Sequence, residues 1–102
     1  MAGAEAKIER ETCRRARDEY GVENIKLIAP GWPDRQFIIP GGKPLLIEFK
    51  APSEVPRPLQ KHVHQKLRKL GYNVQVHDDT ERAVQAIAQA IKFLTPIEKS
   101  KL

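Results

Sequence analysis

Seven of the chain's eight prolines lie between Pro30 and Pro58. Proline removes a backbone donor and breaks helix interiors, so no long helix can cross this stretch, whereas the flanks are free to form one. The 102 residues must therefore fold as helical ends around a middle of short strands and turns.

In the first flank Ile8, Thr12, Ala16 and Tyr20 recur at a spacing of four, with charged residues on the other faces, which predicts an amphipathic helix stopping at Gly21. Asn24 to Ala29, Gln36 to Ile39 and Leu45 to Phe49 read as strands. Pro40-Gly41-Gly42-Lys43-Pro44 joins the last two as an antiparallel hairpin. Ala51 to Pro58 can be neither helix nor central strand and is a loop. Leu59, Val63, Leu67 and Leu70 mark the inner face of a second helix that stops at Gly71, with Lys61, His62, His64, Lys66, Arg68 and Lys69 facing outward. Tyr72, Val74 and Val76 alternate as in a half-buried strand. A final helix is capped in Asp78-Asp79-Thr80 and turns Val84, Ile87, Ala88, Ile91 and Leu94 inward. The tail from about residue 96 to 102 is expected to fray. The order is α-β-β-β-α-β-α, an α/β chain of the α+β type in which helices pack on one mixed sheet, within a single domain spanning residues 1–102.

Composition excludes several classes. With 40% apolar and 30% charged residues the chain is neither disordered nor fibrous, and the lone Cys13 rules out an internal disulfide. No apolar run approaches the ~20 residues of a membrane span, and the first residues lack a secretory core, so a cytoplasmic protein is expected. A net charge of +5 favours a polyanionic partner.

The chemistry concentrates in Pro33-Asp34, thirteen intervening residues, then Glu48-Phe49-Lys50. Alternate side chains of a strand share a face, so Glu48 and Lys50 point the same way. Folding about Gly41-Gly42 brings Asp34 level with Glu48, so two carboxylates and an ammonium converge at one end of a sheet. Adjacent carboxylates repel, and a divalent cation with oxygen ligands, Mg²⁺ or Mn²⁺, relieves the cost. Such an ion suits phosphodiester hydrolysis, because it lowers the pKa of a bound water and stabilises the charge developing at the phosphoryl group. Lys50 can orient the water or hold the scissile phosphate. The alternative is a strand end with solvated alternating charges. His62 and His64 face apart on a helix and are not a joint ligand pair; phosphate contact or plain exposure is the expectation for both. Trp32 is expected to pack.

Gly31-Trp32-Pro33-Asp34-Arg35, Pro40-Gly41-Gly42, Ile47-Glu48-Phe49-Lys50-Ala51-Pro52, Pro58-Leu59-Gln60-Lys61-His62 and Leu67-Arg68-Lys69-Leu70-Gly71-Tyr72 together resemble the VRR-Nuc domain, a branch of the PD-(D/E)xK nuclease superfamily. The resemblance runs from about Glu5 to Val76. It implies a restriction-endonuclease-like core and a metal-dependent DNA endonuclease; small stand-alone members from phages and bacteria look like dimeric Holliday junction resolvases, and longer ones join DNA-repair modules. By the same resemblance Asp34, Glu48 and the Phe49 carbonyl would hold the metal, Lys50 would be the catalytic lysine and Gln60 the glutamine near the site. The family also places a glutamate on its first helix. Glu5, Glu9 and Glu11 are all available; Glu9 is preferred and Glu5 stands second, one turn away on the same side, while Glu11 lies about 200° around the helix from Glu9.

The expected DNA contacts are Arg35, Arg57, Lys61, His62, Lys66 and Lys69, with Arg14, Arg15 and Arg17 as further candidates. A homodimer is expected, because a two-fold four-way junction needs two symmetric cuts and each chain has one candidate site. A flap or nicking endonuclease of the same chemistry is the alternative enzyme. A non-catalytic nucleic-acid-binding module is the alternative of another class.

Overall fold

The structure, a computed structural model, describes residues 3–92. Its elements are α1 (Ala4–Tyr20), β1 (Asn24–Lys26), β2 (Arg35–Phe37), β3 (Leu45–Phe49), α2 (Pro58–Lys69), β4 (Asn73–His77) and α3 (Thr80–Lys92). This is the order read from the sequence. The expected tail and the inward placement of Leu94 lie outside the described residues.

The four strands form one mixed sheet in the order β1-β2-β3-β4. The first three pair antiparallel through short connections, and β3 pairs parallel to β4 across the α2 crossover. β3 is buried at all five positions, as a central strand covered on both faces must be. Its odd-numbered residues Leu45, Ile47 and Phe49 join Cys13 and Ala16 of α1 and Ala83 and Ile87 of α3 in the main core. Leu46, on the other face, meets Leu67 and Val74 under α2. By alternation Glu48 and Lys50 also face the α2 side, so the second helix decides what surrounds them.

The outer strands are shorter than their apolar runs. Leu27 still donates to the Asp34 carbonyl at 2.9 Å, but Pro30 and Pro33 then interrupt the ladder. β2 ends where the Ile39 N–H turns back to the Phe37 carbonyl at 3.1 Å. At the start of α3 the Asp79 carboxylate accepts the Arg82 N–H at 3.0 Å, the expected cap. Trp32 remains 41% exposed, against the expectation that it packs.

Gly31 sits where the β1–β2 connection crosses α2. Its φ is +81°, and a Cβ there would lie 2.8 Å from Leu59 Cγ and 3.2 Å from the Leu59 carbonyl oxygen. The side chain can shift; the helical carbonyl cannot. Gly31→Ala is therefore expected to cost about 1–3 kcal/mol, read from the urea midpoint, with the loop leading to Asp34 loosened first.

Candidate active site

The β2–β3 register pairs Arg35 with Ile47, and one step further along both strands sets Asp34 opposite Glu48. Asp34 is anchored there by the backbone: its Oδ2 accepts the Phe49 N–H at 2.7 Å. Oxygens of Glu5, Asp34 and Glu48 all lie within 4.8 Å of one another. The convergence expected of Asp34 and Glu48 is thus present, and the third acid is Glu5.

Glu9, the preferred helix glutamate, does not join this group. Its Oε2 accepts Lys26 Nζ at 2.7 Å and Arg35 Nε at 2.6 Å. Burial pulls its pKa up, yet these hydrogen bonds and charges more than offset it and hold the carboxyl below its ordinary value. Glu5 stands one turn nearer the helix start, over the ends of β2 and β3. Sequence spacing put both on one side of α1; cations from two other strands decide between them.

Glu48 is 1% exposed. Its Oε2 accepts Gln60 Nε2 at 2.9 Å, and Lys50 Nζ stands 3.5 Å away. Burial first, then the Asp34 charge, push its pKa up to about 7, although Lys50 pulls it down. Gln60 reaches it because it sits in the first turn of α2, where its Oε1 also accepts the Arg57 N–H at 2.8 Å and ties the helix start. Ala51 and Glu54 of the loop after β3 wall the opening over Glu5 and Asp34.

The α2 face differs from its apolar periodicity. Leu59 and Leu70 are exposed, while Gln60, His64 and Leu67 are buried. His64, expected at the surface, is 1% exposed with Nε2 3.9 Å from Glu48 Oε1. That is too far for a hydrogen bond, and neither atom has a hydrogen-bond partner among the described residues. Burial, with the charges of Arg68 and Lys50, holds the imidazole pKa below its ordinary value and so favours the neutral ring. Composition could not signal this, because a polar side chain is buried here only to face another one.

The remaining expected contacts separate. Arg57, Lys61, His62, Lys66 and Lys69 are exposed along α2. Arg68 gives both Nε and Nη2 to the Val74 carbonyl, and Arg15 bridges Glu19 and Glu81, tying α1 to α3. Arg35 is held by Glu9 and Asn24.

Three carboxylates, one with a buried oxygen lacking any partner, form a donor set of hard oxygens that fits Mg²⁺ or Mn²⁺. The fold is shared with known proteins. The chain superposes on a solved VRR_NUC domain with a TM-score of 0.74 and 27% identity, covering 85% of this chain and 97% of that one. Over 80 residues it is 36% identical to p44 of Acyrthosiphon pisum secondary endosymbiont phage 1, a protein named as a candidate nuclease, covering 76% of this chain and 85% of that protein. The chain belongs to the VRR-Nuc family. No protein-family model matches it. Membership accords with the mixed sheet and its three helices, the architecture the sequence led us to expect. No helix of this VRR-Nuc chain, among the described residues, is long and apolar enough to cross a membrane.

Proposed function

We propose that the chain is a divalent-cation-dependent DNA endonuclease that cuts branched DNA, four-way junctions in particular, as a homodimer. The observation that carries this reading is the gathering of Glu5, Asp34 and Glu48 within 4.8 Å beside the buried ammonium of Lys50. Asp34, Glu48 and the Phe49 carbonyl would hold Mg²⁺ or Mn²⁺, and Glu5 would take the helix-glutamate place. When bound, the cation acts as a Lewis acid on the phosphoryl oxygen and acidifies water. Lys50 donates to the attacking water or a phosphate oxygen and stabilises the charge gathering on phosphorus. The attacking water gives a proton to solvent as its oxygen bonds to phosphorus, the phosphorus–oxygen bond to one sugar breaks, and that sugar oxygen takes a proton back from solvent. Gln60 keeps the Glu48 carboxylate in one orientation throughout.

His64 supports the same carboxylate from below. His64→Leu is expected to weaken Mn²⁺ binding about 10–100-fold by calorimetric titration, and His64→Gln, which keeps a donor, to lose less. Equal affinity in all three proteins would remove His64 from the site.

The dimer supplies the second cut that a two-fold junction requires. Ile25, Ile28 and Ile38, exposed on and around the β1–β2 ribbon, are apolar surface suited to a second copy. Such an enzyme would act on recombination or repair intermediates in the cytoplasm of a bacterial or phage-infected cell. Labelled four-way junction, flap and linear duplex, each incubated with Mn²⁺ or EDTA, test the reading. Paired nicks in the junction with Mn²⁺ alone support it. Cutting confined to flaps or nicked duplex would move the substrate class. Tight DNA binding without cutting in Mn²⁺ would leave a binding module.

A further inference from the structure

A groove of about 500 Å³ runs between α1 and the β1–β2 ribbon. Arg10, Arg14, Arg17, Lys26 and Arg35 line it, five cations against the single carboxylate of Glu9. It meets the hollow over Glu5 and Asp34, for Ala6, Glu9 and Lys26 line both. Lys26 stands at the junction, its Nζ 2.7 Å from Glu9 Oε2 and 4.0 Å from Asp34 Oδ1.

The cations are placed in two ways. Arg10, Arg14 and Arg17 follow the i, i+4, i+7 spacing of one helical stripe, about 10 Å long at 1.5 Å per residue. That length matches three steps of a stacked strand at about 3.4 Å each. Among the described residues Arg14 and Arg17 pair only with exposed Asp18 and Glu23, both at 3.4 Å, contacts that a phosphate can replace at little cost. Lys26 and Arg35, by contrast, are fixed: one Glu9 oxygen receives both, and Arg35 Nη1 also reaches Asn24 Oδ1 at 3.0 Å. A carboxylate that is only 13% exposed and holds two cations at a groove wall orients donors toward whatever enters.

We propose that this groove is a track for the backbone of one DNA strand, binding the phosphates that flank the scissile one, and that Glu9 is a positioning residue which aims Lys26 and Arg35 into it. The inference rests on the nuclease reading of the adjoining acid cluster. It gives Glu9 a task other than metal ligation. It also moves the main strand contacts from the open α2 surface to a concave wall contiguous with the reaction centre. Contacts to phosphate alone carry no base information, so the track is indifferent to sequence.

Anisotropy of a labelled single-stranded oligonucleotide with the full chain in EDTA, titrated from 50 to 200 mM salt, tests the track without cleavage. Arg14→Ala/Arg17→Ala is expected to reduce affinity at least about tenfold at 50 mM and to flatten the log–log salt slope by about 1.4, two phosphates at ~0.7 each. Arg82→Ala/Lys92→Ala on α3 removes the same charge and should keep the parent slope. Glu9→Gln should weaken oligonucleotide binding despite the gain in net charge while Mn²⁺ affinity stays at the parent value, a split that simple ligation of metal by Glu9 does not produce. An unchanged slope in the α1 pair, an equal loss in the α3 pair, or loss of Mn²⁺ binding in Glu9→Gln overturns the proposal. The underlying reading fails separately: Asp34→Asn that still binds Mn²⁺ like the parent would sink the metal site while leaving the slopes to judge the groove.

Discussion

Asp34→Asn and Lys50→Met should each lower single-turnover cleavage of a junction by about 10²–10⁴-fold in Mn²⁺, with DNA affinity in EDTA preserved within a few-fold. Asparagine keeps an oxygen that can accept the Phe49 N–H, now bonded at 2.7 Å, so the strand end retains its anchor. What disappears is one of the three charges within 4.8 Å of one another. Lys50→Met keeps the length and apolar stem of the side chain and removes the ammonium 3.5 Å from Glu48. Binding survives Asp34→Asn because affinity for a backbone resides in Lys and Arg, not in acids that repel phosphate, and it survives Lys50→Met because a single buried ammonium is a small part of the basic surface. Parent-like cutting by either variant would mean that the chemistry lies elsewhere.

The metal-free protein should lose stability as pH rises from about 4.5 to 7, and the loss should be traceable to Glu48. Folding raises its pKa from 4.5 to about 7, so across that window the folded protein keeps a proton that the unfolded chain has released. The contribution is fully present below about 4.5 and gone once pH passes 7, a difference of about 3 kcal/mol. His64 and His77, whose pKa values burial pushes down, work oppositely: their contribution is lost as pH falls below 6.5 and through their folded values. Urea unfolding in EDTA of the parent and Glu48→Gln, subtracted pH by pH, cancels the histidines and leaves the Glu48 curve. Mn²⁺ should reverse the trend, because only the ionised carboxylate binds it and binding below pH 7 must release a proton. A flat difference curve would show that Glu48 is not the strained acid described here.

The parts of this site readable in the sequence are those fixed by local backbone. Pro33-Asp34, the Gly41-Gly42 hairpin and Leu45 to Lys50 dictate a register, and the register alone brings Asp34 to Glu48. β3 was legible because its five consecutive buried residues form an apolar run broken only by Glu48. Gln60 followed from the family motif; nothing in its own surroundings in the chain distinguishes it from a solvated glutamine.

What escaped depends on contacts between elements distant in sequence. Glu5 and Glu9 are equivalent on the helix, and only Lys26 and Arg35 arriving from β1 and β2 remove Glu9 from the acid group. The inner face of α2 misled for a related reason. Apolar periodicity finds the helical face that meets a hydrophobic surface, but the surface beneath α2 includes Glu48 and Lys50 beside Leu46, so Gln60 and His64 are buried with Leu67 while Leu59 and Leu70 remain outside. A helix that is out of phase with its own leucines is thus a signature of a polar site beneath it.

The most direct test of the account is an anomalous difference map from crystals of the intact protein soaked in Mn²⁺. A peak is expected about 2.0–2.5 Å from carboxylate oxygens of Asp34 and Glu48, with Glu5 facing it directly or through water. A catalytically competent crystal form whose Mn²⁺ lies away from these acids, or binds at Glu9 in place of Lys26 and Arg35, would contradict it.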